Sequence, residues 1–422
     1  MSRSIIAALV VCVGIGASAE AQQEPPKVVK INASIYMATV NANVYLITTP
    51  AGNIVIDTAT EHDAPDARRL LGAVSQGPVK YIILTHGHAD HIGGINLWKE
   101  TGTQIIAQRN YVEFVNYVTR LEGFFAPRDA AAFGRPAKVT SAWAGNYGAT
   151  IEPTVLFDET YKFNLGGLEV DLLSTPGETP DHLTVWLPAL KVAFIGDNYK
   201  GIGLPEPVSF PNLFALRGTK PRWALDWISS IDKVLTLKPD VVLSGHGEPI
   251  MGQEEITRLL TRFRDALQYV HDETVKGMNA GKDVFTLMRE IRLPATFKLT
   301  EAFGKVSWSV RGIYDGYVGW FDMNPATMYD IPATSVYPEL VKLAGGPQAV
   351  VRLALEKLDA GKPVETLHLT DVALAFDPHN RAALEARLKA LNSLRSHCRN
   401  YVEAGYLDYG IGKAKGELAE AN

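Results

Sequence analysis

The sequence predicts an α/β protein that begins with a sandwich of two mixed sheets and ends in an all-helical region. Short apolar runs alternate with helical segments up to about Gly252, which is the pattern of strands and helices packed in layers. Some of these runs follow one another through tight turns, as hairpin strands do, so mixed sheets fit better than a purely parallel one. Beyond Gly252 the apolar spacing becomes helical and strand signals are few.

The strands and helices can be assigned one by one from these runs. The turn residues Ala51-Gly52 separate the first two strands and favour a hairpin there. In chain order the predicted strands are Val44–Ile47, Asn53–Asp57, Val79–Leu84, Leu168–Leu173, Leu183–Leu187, Val192–Ile195 and Val241–Leu243. The predicted helices are Ala64–Val74, Tyr111–Leu121, Trp223–Leu235, Glu254–Asn279, Val350–Leu358 and Leu367–Ala375.

Length and charge limit the possible functions. At 422 residues the chain should contain two or three domains. Its net charge of -5 argues against nucleic acid as a partner, because binding to phosphates calls for a basic face. The sequence has two cysteines, Cys12 and Cys398, and the first lies in the leader described next, so we expect no intrachain disulfide.

The N-terminus predicts a cleavable secretory signal peptide over residues 1–21. Arg3 precedes the apolar run Ile5–Ile15, and the small residues that follow supply an Ala-x-Ala cleavage site. This run is too short to span a bilayer comfortably, so we expect no stable membrane anchor. The expected location of the mature protein is therefore the periplasm or the outside of the cell.

The most informative motif is a histidine-rich loop that follows the strand Val79–Leu84. His86, His88, Asp90 and His91 lie within six positions of each other there. Imidazole and carboxylate groups together suit borderline divalent metals such as zinc. The alternating spacing lets His86 and His88 reach one ion while Asp90 and His91 turn toward a second. The loop therefore predicts a metal site.

A site for two metals needs more ligands, and three candidates have a suitable position. Glu178, Asp197 and His246 each follow a predicted strand, and each has a glycine nearby that lets the backbone approach a metal closely. An acidic residue after a strand is usually only a loop residue, so each signal is moderate by itself. The combination of the three favours the ligand role.

These motifs, in this order, resemble the metallo-β-lactamase superfamily over about residues 28–252. The resemblance rests on His-x-His-x-Asp-His, a Pro-Gly turn, a Gly-Asp strand end and a Gly-His-Gly strand end. It implies an αβ/βα sandwich with two Zn²⁺ per chain and with Asp57 supporting the metal loop. The implied ligands are His86, His88 and Glu178 for one zinc, Asp90, His91 and His246 for the other, and Asp197 as the bridge.

Glu178 narrows this resemblance to one branch of the superfamily. Most members have histidine in this Pro-Gly-x-Thr context, whereas glutamate is a mark of the alkyl sulfatases. The segments Arg128–Gly134, Asn212–Gly218 and Ser309–Pro325 are also similar to that branch. The resemblance implies hydrolysis of linear alkyl sulfate esters to alcohol and sulfate by a metal-activated water.

The same branch implies how the chain is divided and which residues act on a small-molecule ester. Residues 22–252 would form the catalytic domain, and residues 253–422 would form a helical dimerisation domain, so we expect a homodimer. We predict catalytic roles for Asp90 and Arg217. The guanidinium of Arg217 can fork onto two sulfate oxygens, although an ordinary surface salt bridge is an open alternative.

Two positions depart from the alkyl sulfatase pattern. The bridging position is Asp197, where the sulfatases carry glutamate, and Pro211 stands where they place a histidine that could protonate the leaving alkoxide. His182 could supply that proton, but we expect it to be a hydrogen-bonded loop histidine without a catalytic role. Two alternative functions stay open: a hydrolase of a lactam, a lactone or another ester, and a metal-bearing periplasmic binding or scaffold protein.

Overall fold

Two sheets form the centre of the protein in a computed structural model that describes residues 25–133, 152–199 and 208–421. The first sheet has seven strands in chain order, and β4 to β7 run parallel while β1 to β4 are antiparallel. Its strands are β1 Lys27–Lys30, β2 Ile35–Thr39, β3 Val44–Thr49, β4 Gly52–Ile56, β5 Val79–Ile83, β6 Gln104–Gln108 and β7 Val155–Phe157. The predicted signal peptide lies outside the described residues, and so does Gly134.

The second sheet has six strands in the order β13-β12-β11-β10-β9-β8. Only β11 and β12 are parallel neighbours, so this sheet is mixed as well. Its strands are β8 Thr160–Leu165, β9 Leu168–Ser174, β10 Leu183–Leu187, β11 Val192–Phe194, β12 Val241–Leu243 and β13 Ile250–Met251. The prediction of two mixed sheets is confirmed.

Apolar side chains hold the two sheets together. Ile47, Ile54 and Ile83 of the first sheet pack against Leu172, Val185 and other residues of the second, all fully buried. Burying each such side chain contributes about 1.5–3 kcal/mol to the free energy of unfolding, relative to leaving it exposed. The interior between the sheets is therefore a closely packed layer of apolar side chains.

Helices cover both outer faces, which gives the predicted αβ/βα layers. The helices of the first half are α1 Ala64–Gly72, α2 Ala89–Ile92, α3 Ile95–Trp98, α4 Asn110–Arg120 and α5 Glu122–Ala132. Of these, α1, α3 and α4 bury their apolar faces on the first sheet. The helices α6 Ala224–Thr236 and α7 Gln253–Asn279 cover the second sheet, where Trp227 and Phe263 pack near Trp186 and Val242.

The rest of the described chain is helical, as predicted. It consists of α8 Val284–Glu290, α9 Val306–Val318, α10 Tyr337–Leu343, α11 Pro347–Asp359, α12 Pro363–Phe376, α13 Arg381–His397 and α14 Tyr401–Glu420. Asparagine side chains cap α13 and α14, where Asn380 accepts from the N–H of Ala383 and Asn400 from that of Glu403. No helix within the described ranges is both long and apolar enough to cross a membrane. The domain boundary at residue 252 stays a prediction.

Backbone hydrogen bonds join the two sheets along one edge. Leu183 N–H donates to the carbonyl of Thr85 at 2.8 Å, and Asn43 N–H donates to the carbonyl of Gly245 at 2.7 Å. Within the second sheet, Gly245 N–H donates to Gly196 at 2.7 Å. The loops that follow β5, β9, β11 and β12 therefore meet at this edge, and these are the loops that carry the predicted ligands.

Gly94 provides a test of how tightly the metal loop is packed. A Cβ at this position would lie 2.2 Å from the Thr58 carbonyl oxygen and 2.4 Å from the Ala64 Cβ. We expect Gly94→Ala to lower the free energy of unfolding by about 1–3 kcal/mol, because the backbone must move to relieve this overlap. Urea denaturation followed by circular dichroism measures the change.

The matched control for this prediction is Gly123→Ala in α5, where an added Cβ meets nothing within 4 Å. Alanine is the better helix former, so this variant should be as stable as the wild type or slightly more stable. Equal stability of the two variants would contradict the packing argument.

Candidate metal centre

All seven predicted metal ligands lie in one buried pocket at the edge where the sheets meet. The pocket contains three overlapping groups whose ligand atoms lie within 4.8 Å of one another. These groups are His86, His91 and Asp197; then Asp90, His91 and His246; then His88, Glu178 and Asp197. The chain thus brings together residues that are far apart in sequence, as the strand-end positions predicted.

Asp197 is the centre of this cluster. Its Oδ1 lies 3.5 Å from His91 Nε2, and its Oδ2 lies 3.4 Å from His246 Nε2 and 3.9 Å from His86 Nε2. Asp90 Oδ2 is 3.3 Å from His246 Nε2 and 3.6 Å from His91 Nε2. Because Asp197 is shared between groups on both sides, its position agrees with the predicted bridge.

Glu178 and His88 form the other side of the pocket. His88 Nδ1 lies 4.0 Å from Glu178 Oε1 and 3.0 Å from His86 Nε2. The backbone N–H of Glu178 donates to Asn198 Oδ1 at 3.1 Å, which fixes the turn before β10. The glutamate is therefore held in the place that the superfamily resemblance gives to a ligand.

Three buried polar atoms of the pocket lack a hydrogen-bond partner among the described residues, as the ligands of a cation would before the ion binds. Asp90 Oδ1, Asp197 Oδ1 and His91 Nε2 are buried and make no hydrogen bond to any part of the chain that the structure describes. Buried polar atoms normally have a partner, so these atoms call for one. Imidazole nitrogen and carboxylate oxygen are donors to divalent metals, and the residues therefore fit such an ion.

Outer contacts orient the imidazole ligands. Asp57 Oδ2 lies 2.8 Å from His91 Nδ1, while Asp57 Oδ1 accepts from the N–H of Thr85 at 2.8 Å. His246 Nδ1 donates to the carbonyl of Asn41 at 2.7 Å. In both rings the contact at Nδ1 turns Nε2 toward the pocket. Asp57 itself has φ of 58°, a costly conformation for a non-glycine residue at a strand end.

The pKa values show that the pocket holds positive charge at one end. Burial would lower the pKa of His246, but Asp197 and Asp90 reverse this effect and raise it to about 10. The same carboxylates raise the pKa of His91 well above its ordinary value against the effect of burial. Burial lowers the pKa of His86 well below 6.5. Protons on His91 and His246 thus balance the carboxylates when no metal does.

Arg222 is a part of the site that the sequence did not predict. Its Nη1 lies 2.9 Å from Glu178 Oε1, and both side chains are almost completely buried. Burial raises the pKa of Glu178, and Arg222 is the main influence that opposes this rise. In the sequence Arg222 is only a cationic residue in a loop before α6, with no signal that pairs it with Glu178.

Arg217 lies near the pocket but has a carboxylate partner. Its Nη1 is 3.2 Å from Asp129 Oδ1, and its side chain is 19% exposed. Arg128 holds the same loop by donating to the carbonyl of Arg217 at 2.6 Å and to that of Leu216 at 2.7 Å. Two of the three segments that resemble the alkyl sulfatases, Arg128–Gly134 and Asn212–Gly218, thus contact each other. The salt bridge is present, and the clamp role of Arg217 stays a prediction.

Neither His182 nor Pro211 supplies an acid. His182 is fully buried, and its Nε2 accepts from the N–H of Asp197 at 3.0 Å. Burial lowers the pKa of His182 to about 3, so the ring is neutral and serves to hold Asp197. Pro211 lines a small cavity beside Glu178 and has no proton to give. The expectation of a hydrogen-bonded loop histidine at position 182 agrees with this geometry.

Two family models cover most of the chain. Residues 38–246 match the metallo-beta-lactamase superfamily, and residues 287–412 match the alkyl sulfatase dimerisation family. A linear primary-alkylsulfatase from a Pseudomonas species is 30% identical over a 400-residue alignment that covers 88% of this chain and 74% of that protein. The alkyl/aryl-sulfatase BDS1 of Saccharomyces cerevisiae is 27% identical over a 371-residue alignment that covers 81% of this chain and 56% of the yeast protein.

A solved structure has the same fold. The stereoselective inverting sec-alkylsulfatase Pisa1 from a Pseudomonas species superposes with a TM-score of 0.80 at 23% identity, covering 93% of this chain and 66% of that one. The sandwich and its metal pocket are those of a metal-dependent hydrolase of the metallo-β-lactamase superfamily. Within that class, the chain belongs to the alkylsulfatase family.

The raised pKa values predict that metal uptake depends on pH. An ion bound by the nitrogens of His91 and His246 must displace their protons, which are present below the raised pKa values. Below about pH 10, the affinity of the protein for Zn²⁺, measured after its metal has been removed with a chelator, should therefore rise about tenfold per pH unit for each proton displaced. Calorimetric titration in buffers of different ionisation enthalpy counts the protons released.

His379→Gln is the control for this titration, because His379 lies in the loop before α13, outside the pocket. This variant should release the same number of protons as the wild type. An affinity for Zn²⁺ that does not change between about pH 6 and about pH 8 would contradict the predicted competition.

Proposed function

We propose that the protein hydrolyses linear alkyl sulfate esters to alcohol and sulfate, with two zinc ions held by the seven pocket residues. The main support is Glu178, which completes the pocket where most of the superfamily has histidine and which is paired with Arg222. A relative that bears the name linear primary-alkylsulfatase supports the substrate class. The chain spans 74% of that relative, 56% of the yeast protein and 66% of Pisa1.

The donor set supports the proposed number and identity of the metals. Asp197 belongs to two of the three groups of ligand atoms, and its Oδ2 lies 3.4 Å from His246 Nε2 of the third, a central position that suits a residue bridging two ions. Four imidazoles and three carboxylates suit zinc better than magnesium or calcium, which prefer oxygen alone. When bound, the zinc ions would lower the pKa of a bound water toward neutrality and polarise the ester.

The side chains of the pocket prepare it for an anionic ester. Asp57 and the carbonyl of Asn41 fix the rings of His91 and His246 before any substrate arrives. Arg217 and Arg222 both lie close enough to His88 to lower its pKa, in addition to the larger effect of burial. We place the sulfate group on the side of the pocket where these two arginines lie. Arg217 would bind the sulfate oxygens, and Asp90 would act as a metal ligand.

One observation favours a second candidate function. Pro211 lines the cavity beside Glu178 at the position where the alkyl sulfatases place an acid. Because Pro211 cannot donate a proton to a leaving alkoxide, it favours a reaction other than the hydrolysis of alkyl sulfates at this site. The alternative is therefore a metal-dependent hydrolase of a lactam, a lactone or another ester.

Sulfate release from decyl sulfate by the zinc-loaded protein tests the leading proposal. We expect turnover by the wild type and a loss of about 100-fold or more in Glu178→Ala, because metal activation contributes several kcal/mol to the barrier. Ion chromatography measures the sulfate. Glu255→Ala removes an exposed carboxylate that pairs with Arg258 and should leave the rate unchanged. No sulfate release from protein that holds two zinc ions would overturn the proposal and direct the assay to lactams and lactones.

We further propose a homodimer formed through the helical region and a location in the periplasm or outside the cell. The location rests on residues 1–21 alone. The dimer is supported by the match of residues 287–412 to a dimerisation family and by large apolar side chains on the surface of the segment 317–343. Trp320 is 75% exposed, Met323 83% and Leu343 85%. Exposed large apolar side chains concentrated in one segment favour an interaction surface there.

Replacing the exposed apolar residues should weaken the dimer. We expect the double variant Trp320→Ser, Met323→Ser to raise the dimer dissociation constant by roughly 30-fold or more, since a buried interface tryptophan commonly contributes about 2 kcal/mol. Light scattering coupled to size exclusion at several protein concentrations measures it. Leu97→Ser changes an exposed leucine on α3 and is the control. A dissociation constant equal to that of the wild type would place the interface elsewhere.

A further inference from the structure

Arg222 is buried beside the metal pocket although it carries a charge. The residue is 7% exposed and precedes α6, which packs against the second sheet. Its Nη1 contacts both Glu178 Oε1 at 2.9 Å and the carbonyl oxygen of Asn212 at 3.1 Å. The Asn212 carbonyl thus anchors the guanidinium, and the guanidinium in turn contacts the carboxylate.

The need for a cation here follows from the charge of Glu178. The pocket already buries the carboxylates of Asp90 and Asp197, and a third one adds a negative charge in a place with little water. Burying an unpaired carboxylate is costly, and breaking a buried pair leaves that cost uncompensated. A histidine bound to the metal at position 178 would be neutral and would need no such partner.

The pair of Glu178 and Arg222 therefore has the same net charge as a neutral histidine. The pair also offers a metal a carboxylate oxygen in a fixed orientation, because the 2.9 Å contact with Arg222 restricts how the Glu178 carboxylate can turn. Outer contacts of this kind commonly determine how well a ligand binds its metal. Asp57 has the corresponding function for His91, through the 2.8 Å contact described above.

We infer that Arg222 is the positioning residue for Glu178, and that the two side chains form one unit which replaces a histidine ligand. The inference rests on the metal site of the proposed function but does not depend on the substrate. Arg222 acts through Glu178, whereas Arg217 remains the candidate for contact with sulfate. The Nε of Arg222 is buried and has no acceptor within the described residues, so a direct contact with substrate is the competing explanation.

Zinc binding by the full-length protein tests the inference without any substrate. Arg222→Leu should weaken the affinity for zinc roughly 10–100-fold, as the loss of an outer contact to a ligand does. Arg222→Lys keeps the charge and should recover part of the loss. The double variant Glu178→His, Arg222→Leu should bind zinc more tightly than either single variant, because the neutral pair of residues restores the charge balance. Competition with a chelating dye measures the affinity, and elemental analysis gives the stoichiometry.

Arg109→Leu is the matched control, because Arg109 forms an exposed ion pair with Asp158 and is not among the residues of the metal pocket. It should bind zinc as the wild type does. If Arg222→Leu fails to fold, the comparison of Arg222→Lys with the double variant still decides the question. Unchanged zinc affinity in Arg222→Leu with a raised KM would overturn the inference in favour of substrate contact. So would a double variant that is no better than the single ones.

The outcome is separable from that of the proposed function. Wild-type protein that binds two zinc ions but releases no sulfate would contradict the alkyl sulfate substrate, and the zinc affinities of the Arg222 variants would still be measurable. Wild-type sulfate release together with unchanged zinc affinity in Arg222→Leu would contradict the positioning role alone.

Discussion

The burial of three carboxylates in one pocket is the constraint on which the rest of the structure depends. Asp90, Asp197 and Glu178 lie within a few ångströms of shared partners and are largely removed from water. Charges in such a place require compensation from cations that are equally fixed. Arg222 supplies it beside Glu178, and at the other end protons on His91 and His246 supply it until bound metals take their place.

The two sheets meet this constraint by being joined where the ligands lie. Gly245 shows how close the approach is, since a Cβ there would lie 2.1 Å from Asp197 Oδ1 and 2.7 Å from His91 Cε1. The bonds from Asn43 to Gly245 and from Leu183 to Thr85 cross from one sheet to the other at this edge. Packing between the sheets and the geometry of the pocket are therefore set together, because a shift of either sheet would separate the ligands.

The strands that carry ligands were predictable because each is a buried apolar run that ends in a chemically distinctive residue. The strands β1, β2, β6, β7, β8 and β13 were not predicted. Of these, β8 alternates between exposed and half-buried positions, and β13 has only two residues, so neither has the apolar run on which the prediction relied. Arg222 escaped for a different reason. Its pairing with Glu178 depends on how a loop before α6 folds back over the turn after β9, which local sequence does not reveal.

The state of the two arginines has a consequence for how an anionic substrate would bind. Arg222 is paired with Glu178 and Arg217 with Asp129, so a large part of each positive charge is already balanced before substrate arrives. Sulfate would then have to share Arg217 with Asp129, and most of the attraction that remains would come from bound metals. On the proposed function, metal loading would therefore govern the affinity for substrate as well as the chemical step. The same pocket without metals would hold protons on His91 and His246, close to the carboxylates that raise the pKa values of both rings. That charge is buried at the far end from Glu178, so it could not take the place of the metals in attracting a sulfate ester.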